Sequence, residues 1–243
     1  MELKNIPVTY WLVGIMVAVF IIQIIASATL APIPVQVGRS VFGINPVDWE
    51  FALWPARVIQ GDAVWGAVTS IFLHGNFMHI FFNCWALLMF GVYLERRIGW
   101  KNFLKVFFVT GIIGSLAHIV FTLTVGSFGL YALGASGAIF GMLGALAVLE
   151  PEIKVIMFPV FIPMKLWQSV IMSVAIMSVI FAAGGMLGIA HDVHVAGLAA
   201  GFAMGFMFKR KMKKDPDFTW KAVYQPVRVT ARKDPYEWID DYR

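Results

Sequence analysis

The strongest constraint on this chain is where charge is missing. No Lys, Arg, Asp or Glu occurs in residues 5–38, 63–94, 106–149 or 166–191. An α-helix needs about 20 mostly apolar residues to cross a bilayer core, and each interval offers at least that. A chain of 243 residues cannot bury all of this in one soluble core, because small proteins keep much of their surface in water. Composition agrees. Hydrophobic residues make up 60%, charged residues 14%, and mean hydropathy is +0.78, whereas soluble domains carry about 25% charged residues. A soluble monomeric globule is excluded, and the composition argues against a disordered chain. An all-α polytopic membrane protein is expected, and its nine Trp and 21 Phe suit surfaces that face lipid and headgroups.

Six spans are expected, at about 8–30, 68–94, 103–125, 136–149, 165–183 and 190–208, followed by a basic tail over 209–243. The first run ends near Ala26-Ser27-Ala28, which resembles a signal-peptide cleavage site. It is longer than the 7–15 apolar residues such a signal uses, so a retained span is predicted. Residues 31–66 are too polar to cross and too aromatic for a free linker. Loops beyond about 12–15 residues are usually functional or disordered. Trp49, Trp54 and Trp65 suit a loop lying partly in the headgroup layer. The fourth run is short and follows a Gly-rich stretch, residues 126–134. It is expected to start below the membrane surface, where only surrounding protein or a wet cavity tolerates irregular backbone.

Six spans place seventeen of the nineteen basic residues on one side, leaving Arg39 and Arg57 on the other. The excess predicts cytoplasmic N- and C-termini in a multi-pass protein of the cell membrane. The pI near 9.4 is thereby a topology signal. The expected surroundings are the lipid bilayer, with no nucleic-acid partner. Cys84 alone allows no internal disulfide and matches no metal-thiolate spacing.

Polar groups inside spans are costly, and each is a functional candidate. The second expected span carries His74, His79 and Asn83, the third His118, the fourth Gly134-Ala135-Ser136-Gly137 at its start, and the sixth His191, Asp192 and His194. His79 and Asn83, four apart, share a helix face, while His74 lies well round it. Gly137, Gly141 and Gly144 follow Ser136, and Gly197, Gly201 and Gly205 follow His194. Small residues at this spacing let two helix backbones approach closely. Ser136 and His194 each follow an outer loop, so the two come to similar depth. A hydroxyl with a base in reach is the minimum apparatus of an activated nucleophile. Ser136 also stands at a helix N-terminus, where free N–H groups favour developing negative charge, and His79 and Asn83 can add donors.

Together, Gly134-x-Ser136-Gly137, His74-x4-His79-x3-Asn83 and His194-x2-Gly197-x3-Gly201 resemble the rhomboid intramembrane serine proteases over roughly residues 8–208. That resemblance implies a six-helix bundle cleaving transmembrane protein substrates near the outer membrane face. It implies Ser136 as nucleophile and His194 as general base. His79, Asn83 and the Ser136 backbone N–H would form the oxyanion hole. His74 would support the site and first loop, with Gly134, Gly137, Phe140, Gly197 and Gly201 around it, and neither cofactor nor metal is implied. Three departures stand out. Trp65 is followed by Gly66 where many bacterial members have Arg, Phe140 replaces a frequent Tyr, and Val193 replaces a frequent Ala. Ala135, where inactive relatives often have Pro, favours activity.

Other readings stay open on residues alone. Ser136 can be packing glue and His194 a satisfied core histidine. His118 reads as an interhelix contact or rim residue. His191 can bond at the mouth of the site, replace His194 as base, or ligate metal with it, but a clear third ligand is lacking. A client-binding inactive relative and a small proton-coupled transporter are the competing functions, the latter weakened by the lack of an inverted repeat.

Overall fold

A computed structural model describes residues 6–37, 39–126, 131–156, 161–182, 191–215 and 218. It is built mainly of helices. Their order is α1 (Val8–Thr29), a β1–β2 hairpin (Ile33–Val37, Ser40–Ile44), α2 (Pro46–Phe51), α3 (Pro55–Ile59), α4 (Gly66–Thr69), then α5 (Phe77–Ala86). A wide turn, Leu87–Gly91, carries α5 into α6 (Val92–Ile98). There follow α7 (Trp100–Val125), α8 (Ser136–Leu149), the β3–β4 pair (Lys154–Ile156, Pro163–Lys165), α9 (Leu166–Ala182) and α10 (His191–Lys214). Among the described residues, three helical stretches are long and apolar enough to cross a bilayer: Val8–Thr29, Phe77–Ile98 and Trp100–Val125. The molecule is an integral membrane protein.

Two boundaries differ from expectation. The second helix begins at Phe77 instead of near residue 68. Leu73 is extended, and Asn76 caps the new start by accepting a bond from His79 N at 2.9 Å. An Asn at the N-cap satisfies one of the helix's orphan donors. His74 therefore lies in the connection ahead of the helix that carries His79. At the other end of the chain, α10 runs on to Lys214, so the tail expected from residue 209 starts helical. Lys and Arg extend a helix readily and suit its C-terminus. The Gly184-Gly185 turn and most of the tail lie outside the described residues.

Helix α8 sits at the centre, with eleven of its 14 residues buried. It packs against α10 through glycine. A Cβ at Gly197 or Gly201 would intrude on the carbonyls of Gly137 and Gly141, and one at Gly205 would stand 2.9 Å from the Ala145 carbonyl. From the other side, a Cβ at Gly144 would come within 2.6 Å of the Leu198 carbonyl. Without a hydrophobic force between helices in lipid, such close approach is what holds them together.

Charged groups collect at one end. Glu95 accepts bonds from Val8 N, Thr9 N and the Thr9 hydroxyl at 2.7–2.9 Å, satisfying the first turn of α1. Arg97 pairs with Glu150, and Lys209 donates to the Val148 carbonyl at 3.1 Å. At the opposite end Gln23, late in α1, meets His74, which stands just before α5. Helices α1 and α5–α6 thus run antiparallel.

The first loop is folded. Arg57 donates to the Trp49 carbonyl, pairs with Asp62 at 2.7 Å and lies over the Trp49 ring at 4.7 Å. Its guanidinium holds the Asp62 carboxyl below the usual range. Trp65 donates to the Glu50 carbonyl at 2.8 Å. A side chain at Gly66 would meet the Ala52 carbonyl at 2.6 Å. The Trp65-Gly66 departure is therefore a packing requirement here, and Arg57 anchors the loop from another position.

Candidate active site

The loop before α8 is held by the first loop. Leu53 and Ala132 exchange two backbone bonds of 3.0 Å. Trp54 stacks on Tyr131 at 4.4 Å and donates its indole N–H to the Asp48 carbonyl. Gly134 N donates to the Ser70 carbonyl at 2.8 Å. Gly134 has φ +114°, a conformation that disfavours any Cβ, and a Cβ there would stand 2.6 Å from His79 Nε2. Glycine is thus required twice over, by backbone conformation and by the imidazole beside it.

Two residues on, Ser136 opens α8. Its hydroxyl lies 2.6 Å from Nε2 of His194 in the first turn of α10. Phe140, one turn along α8, stacks on the imidazole at 4.8 Å and 22°. The ring stack survives the absence of a Tyr hydroxyl. Val193 also has a place: its Cγ1 fills a slot between Gly114 and Gly137, where a Cβ on either would come within 2.8 Å. His194 is buried, and its Nδ1 has no protein partner among the described residues. A neutral ring that accepts from the hydroxyl at Nε2 carries its proton on Nδ1.

His79 faces the same space. Gly75 N donates to its Nδ1 at 3.4 Å, which leaves Nε2 protonated and turned toward Gly134. Asn83, one turn on, gives one amide proton to the His79 carbonyl at 2.9 Å and keeps another. Ser136, His194, His79, Asn83 and Phe140 line one cavity of about 1310 Å³, which extends between Trp85 of α5 and Ser173 of α9.

His74 does not line that cavity. It borders a second one, of about 610 Å³, with Gln23, Asn45, Asp48 and Tyr131. Its ring stands edge-on to His79 at 5.1 Å, is 1% exposed, and has no hydrogen-bond partner on either nitrogen among the described residues. Burial pushes its pKa down to about 3, and the neighbouring His79 adds to the shift. Burial likewise raises the Asp48 carboxyl, against the Gln23 hydrogen bond.

The remaining polar residues diverge. His118 Nδ1 lies 2.9 Å from Asp192 Oδ2, an interhelix contact, and His191 Nε2 lies 3.2 Å from Ser178 Oγ. With His194 turned to Ser136, these side chains do not converge on a cation. Sequence reasoning missed Gln23, Asp48, Tyr131 and the seat of Val193. A lone Gln within an apolar run was the one available signal.

Comparison with known proteins adds a family. The model of the rhomboid domain matches residues 61–211. Rhomboid-like protease 2 of Toxoplasma gondii is 28% identical over 226 residues, covering 90% of this chain and 69% of that protein. Rhomboid protein 1, mitochondrial, of Saccharomyces cerevisiae (strain ATCC 204508 / S288c) is 34% identical over 146 residues, covering 56% of this chain and 41% of that protein. Inactive RHOMBOID-like protein 8 of Arabidopsis thaliana is 30% identical over 93 residues, 38% of this chain and 25% of that protein. The chain spans between about a third and three fifths of the length of several relatives it matches.

Proposed function

The chain belongs to the rhomboid family, and from that premise we propose that it is an intramembrane serine endopeptidase cleaving transmembrane segments of membrane-protein substrates. The observation that carries this reading is the 2.6 Å contact between Ser136 Oγ and His194 Nε2 under the Phe140 ring. A serine hydroxyl is a weak nucleophile until a base takes its proton.

In the proposed reaction Ser136 Oγ attacks the scissile carbonyl while its proton passes to His194 Nε2. The carbonyl electrons move onto oxygen. The Ser136 backbone N–H, His79 Nε2–H and the second Asn83 amide proton are the donors for that oxyanion. One well-placed donor of this kind is worth about 3–4 kcal/mol. His194 then gives the proton to the leaving amine, and water, activated by the same imidazole, releases the acyl group. The proposed arrangement is a dyad, and it is supported by His194 Nδ1 having no hydrogen-bond partner among the described residues.

The proposed architecture has six spans in one membrane domain over about 1–208, with a first loop partly embedded in the outer interface. The site lies away from the end where Glu95, Arg97 and Lys209 gather. With the basic side inward, this supports cleavage near the outer face of the cell membrane and cytoplasmic termini. Single-cysteine accessibility at Arg39 and at Lys213 should report opposite sides.

Cleavage of a reconstituted transmembrane substrate tests the activity. Ser136→Ala and His194→Ala should each abolish it, and a fluorophosphonate should label the wild type but not Ser136→Ala. Full activity in either variant would sink the dyad. A second reading, an inactive family member that binds client helices, draws on the relative named inactive. It predicts no labelling while client helices still co-purify.

A further inference from the structure

The first four residues of α10 each address a different neighbour. His191 reaches Ser178 on α9 at 3.2 Å. Asp192 reaches His118 on α7 at 2.9 Å. Val193 fills the slot between Gly114 of α7 and Gly137 of α8, and His194 meets Ser136. The register of the proposed base is therefore set by what the three residues before it hold.

The Asp192–His118 contact is the costly member. His118 is 3% exposed, and the Asp192 side chain 15%. Ionisable groups at such depth are expensive, and an amide would tether the helix more cheaply. A carboxylate adds what an amide lacks, a negative charge two residues before the base. When the Ser136 proton arrives at His194, that charge stabilises the imidazolium. In a Ser-His-Asp triad a carboxylate does this through a direct bond to Nδ1. Here Nδ1 of His194 has no protein partner among the described residues.

We infer that Asp192, held by His118, is a positioning residue that sets the register of His194 and stabilises its protonated form through space. The inference rests on the proposed Ser136–His194 dyad. Nδ1 of His118 stands 2.9 Å from Asp192 Oδ2 and engages the carboxylate from the α7 side. The other titratable groups facing His194 are His191 on its own helix and His79 on α5. Both are imidazoles, so Asp192 supplies the only negative field among the described neighbours.

The test is the acid limb of the kcat/KM–pH profile, measured on the full chain in proteoliposomes with a cleaved transmembrane substrate. Asp192→Asn keeps a hydrogen-bonding tether but removes the charge. Its kcat should fall about tenfold or more, and its acid limb should move to lower pH, because the imidazolium loses its counter-charge. His118→Lys should move the limb the same way by cancelling the field. His118→Asn, with an amide donor in place of Nδ1, should keep the wild-type limb and kcat within about threefold. An unmoved limb in whichever of Asp192→Asn and His118→Lys folds would overturn the inference, as would a limb displaced by His118→Asn. A wild-type chain that neither cleaves nor labels at Ser136 overturns the dyad and this inference with it. Active wild type with unaltered variants overturns the pair alone.

Discussion

Gly134 shows how much a single residue carries. Its φ of +114° and the His79 ring 2.6 Å from a would-be Cβ leave no room for alanine. Gly134→Ala should push His79 aside or twist the peptide ahead of Ser136. Displacements of about 1 Å at a reacting group cost roughly a hundredfold, so kcat should fall by about that factor while the protein remains folded. Cleavage kinetics beside a melting curve measure both. His74 acts on stability instead. Its ring is held neutral by burial, with a pKa near 3 against an ordinary 6.5. The unfolded chain therefore binds a proton at higher pH than the folded one. This contribution is full above 6.5 and is lost as pH falls toward 3. The melting temperature should drop over that window, and less steeply in His74→Gln. The importance of both residues was legible from their spacing. That His74 stands off the helix was not, because a capping Asn at position 76 competes with an apolar run that reads as continuous helix from residue 68.

Among the elements, α8 and α10 are coupled by backbone rather than by side-chain interdigitation. Gly201 meets the Gly141 carbonyl so closely that a Cβ there would overlap it. Gly201→Val should destabilise by about 1–3 kcal/mol, the usual cost of overpacking, and should weaken Ser136 labelling as the helices separate. Ala199 is exposed on the same helix, so Ala199→Val should leave melting and labelling unchanged. The glycine ladder was readable in sequence as a face for close approach. A second ladder after Ser136 pointed to its partner, but which glycine meets which carbonyl was not readable, since spacing does not set the relative height of two helices. The same limit applied to His118, Asp192 and His191. Each was visible as a polar residue in an apolar setting, and only the packing of α7, α9 and α10 showed that they pair across helices.

At the scale of the whole molecule, the first loop and residues 131–135 ahead of Ser136 are joined directly. The Leu53–Ala132 bonds and the Trp54–Tyr131 stack join residues about eighty apart in the chain. An aromatic pair of this kind contributes about 0.5–1.5 kcal/mol beyond area burial. Tyr131→Ala should loosen the approach to Ser136 and lower kcat about two- to tenfold, more than it changes KM. Tyr131→Phe keeps the ring and should match wild type. A steady-state comparison of the three chains decides it. By itself the sequence determined that this protein lives in a membrane, since its charge-free runs leave no soluble alternative. It also determined which polar side chains are exceptional, because each stands out against an apolar background and the cost of burial makes that contrast informative. Tertiary structure decided how closely the expected pair meets and where the remaining polar groups find partners. A hydrogen bond of 2.6 Å between Ser136 and His194 depends on the relative height and rotation of α8 and α10. Those are set by glycine contacts, a valine seat and the buried His118–Asp192 contact, drawn from separate helices, and no local pattern encodes them.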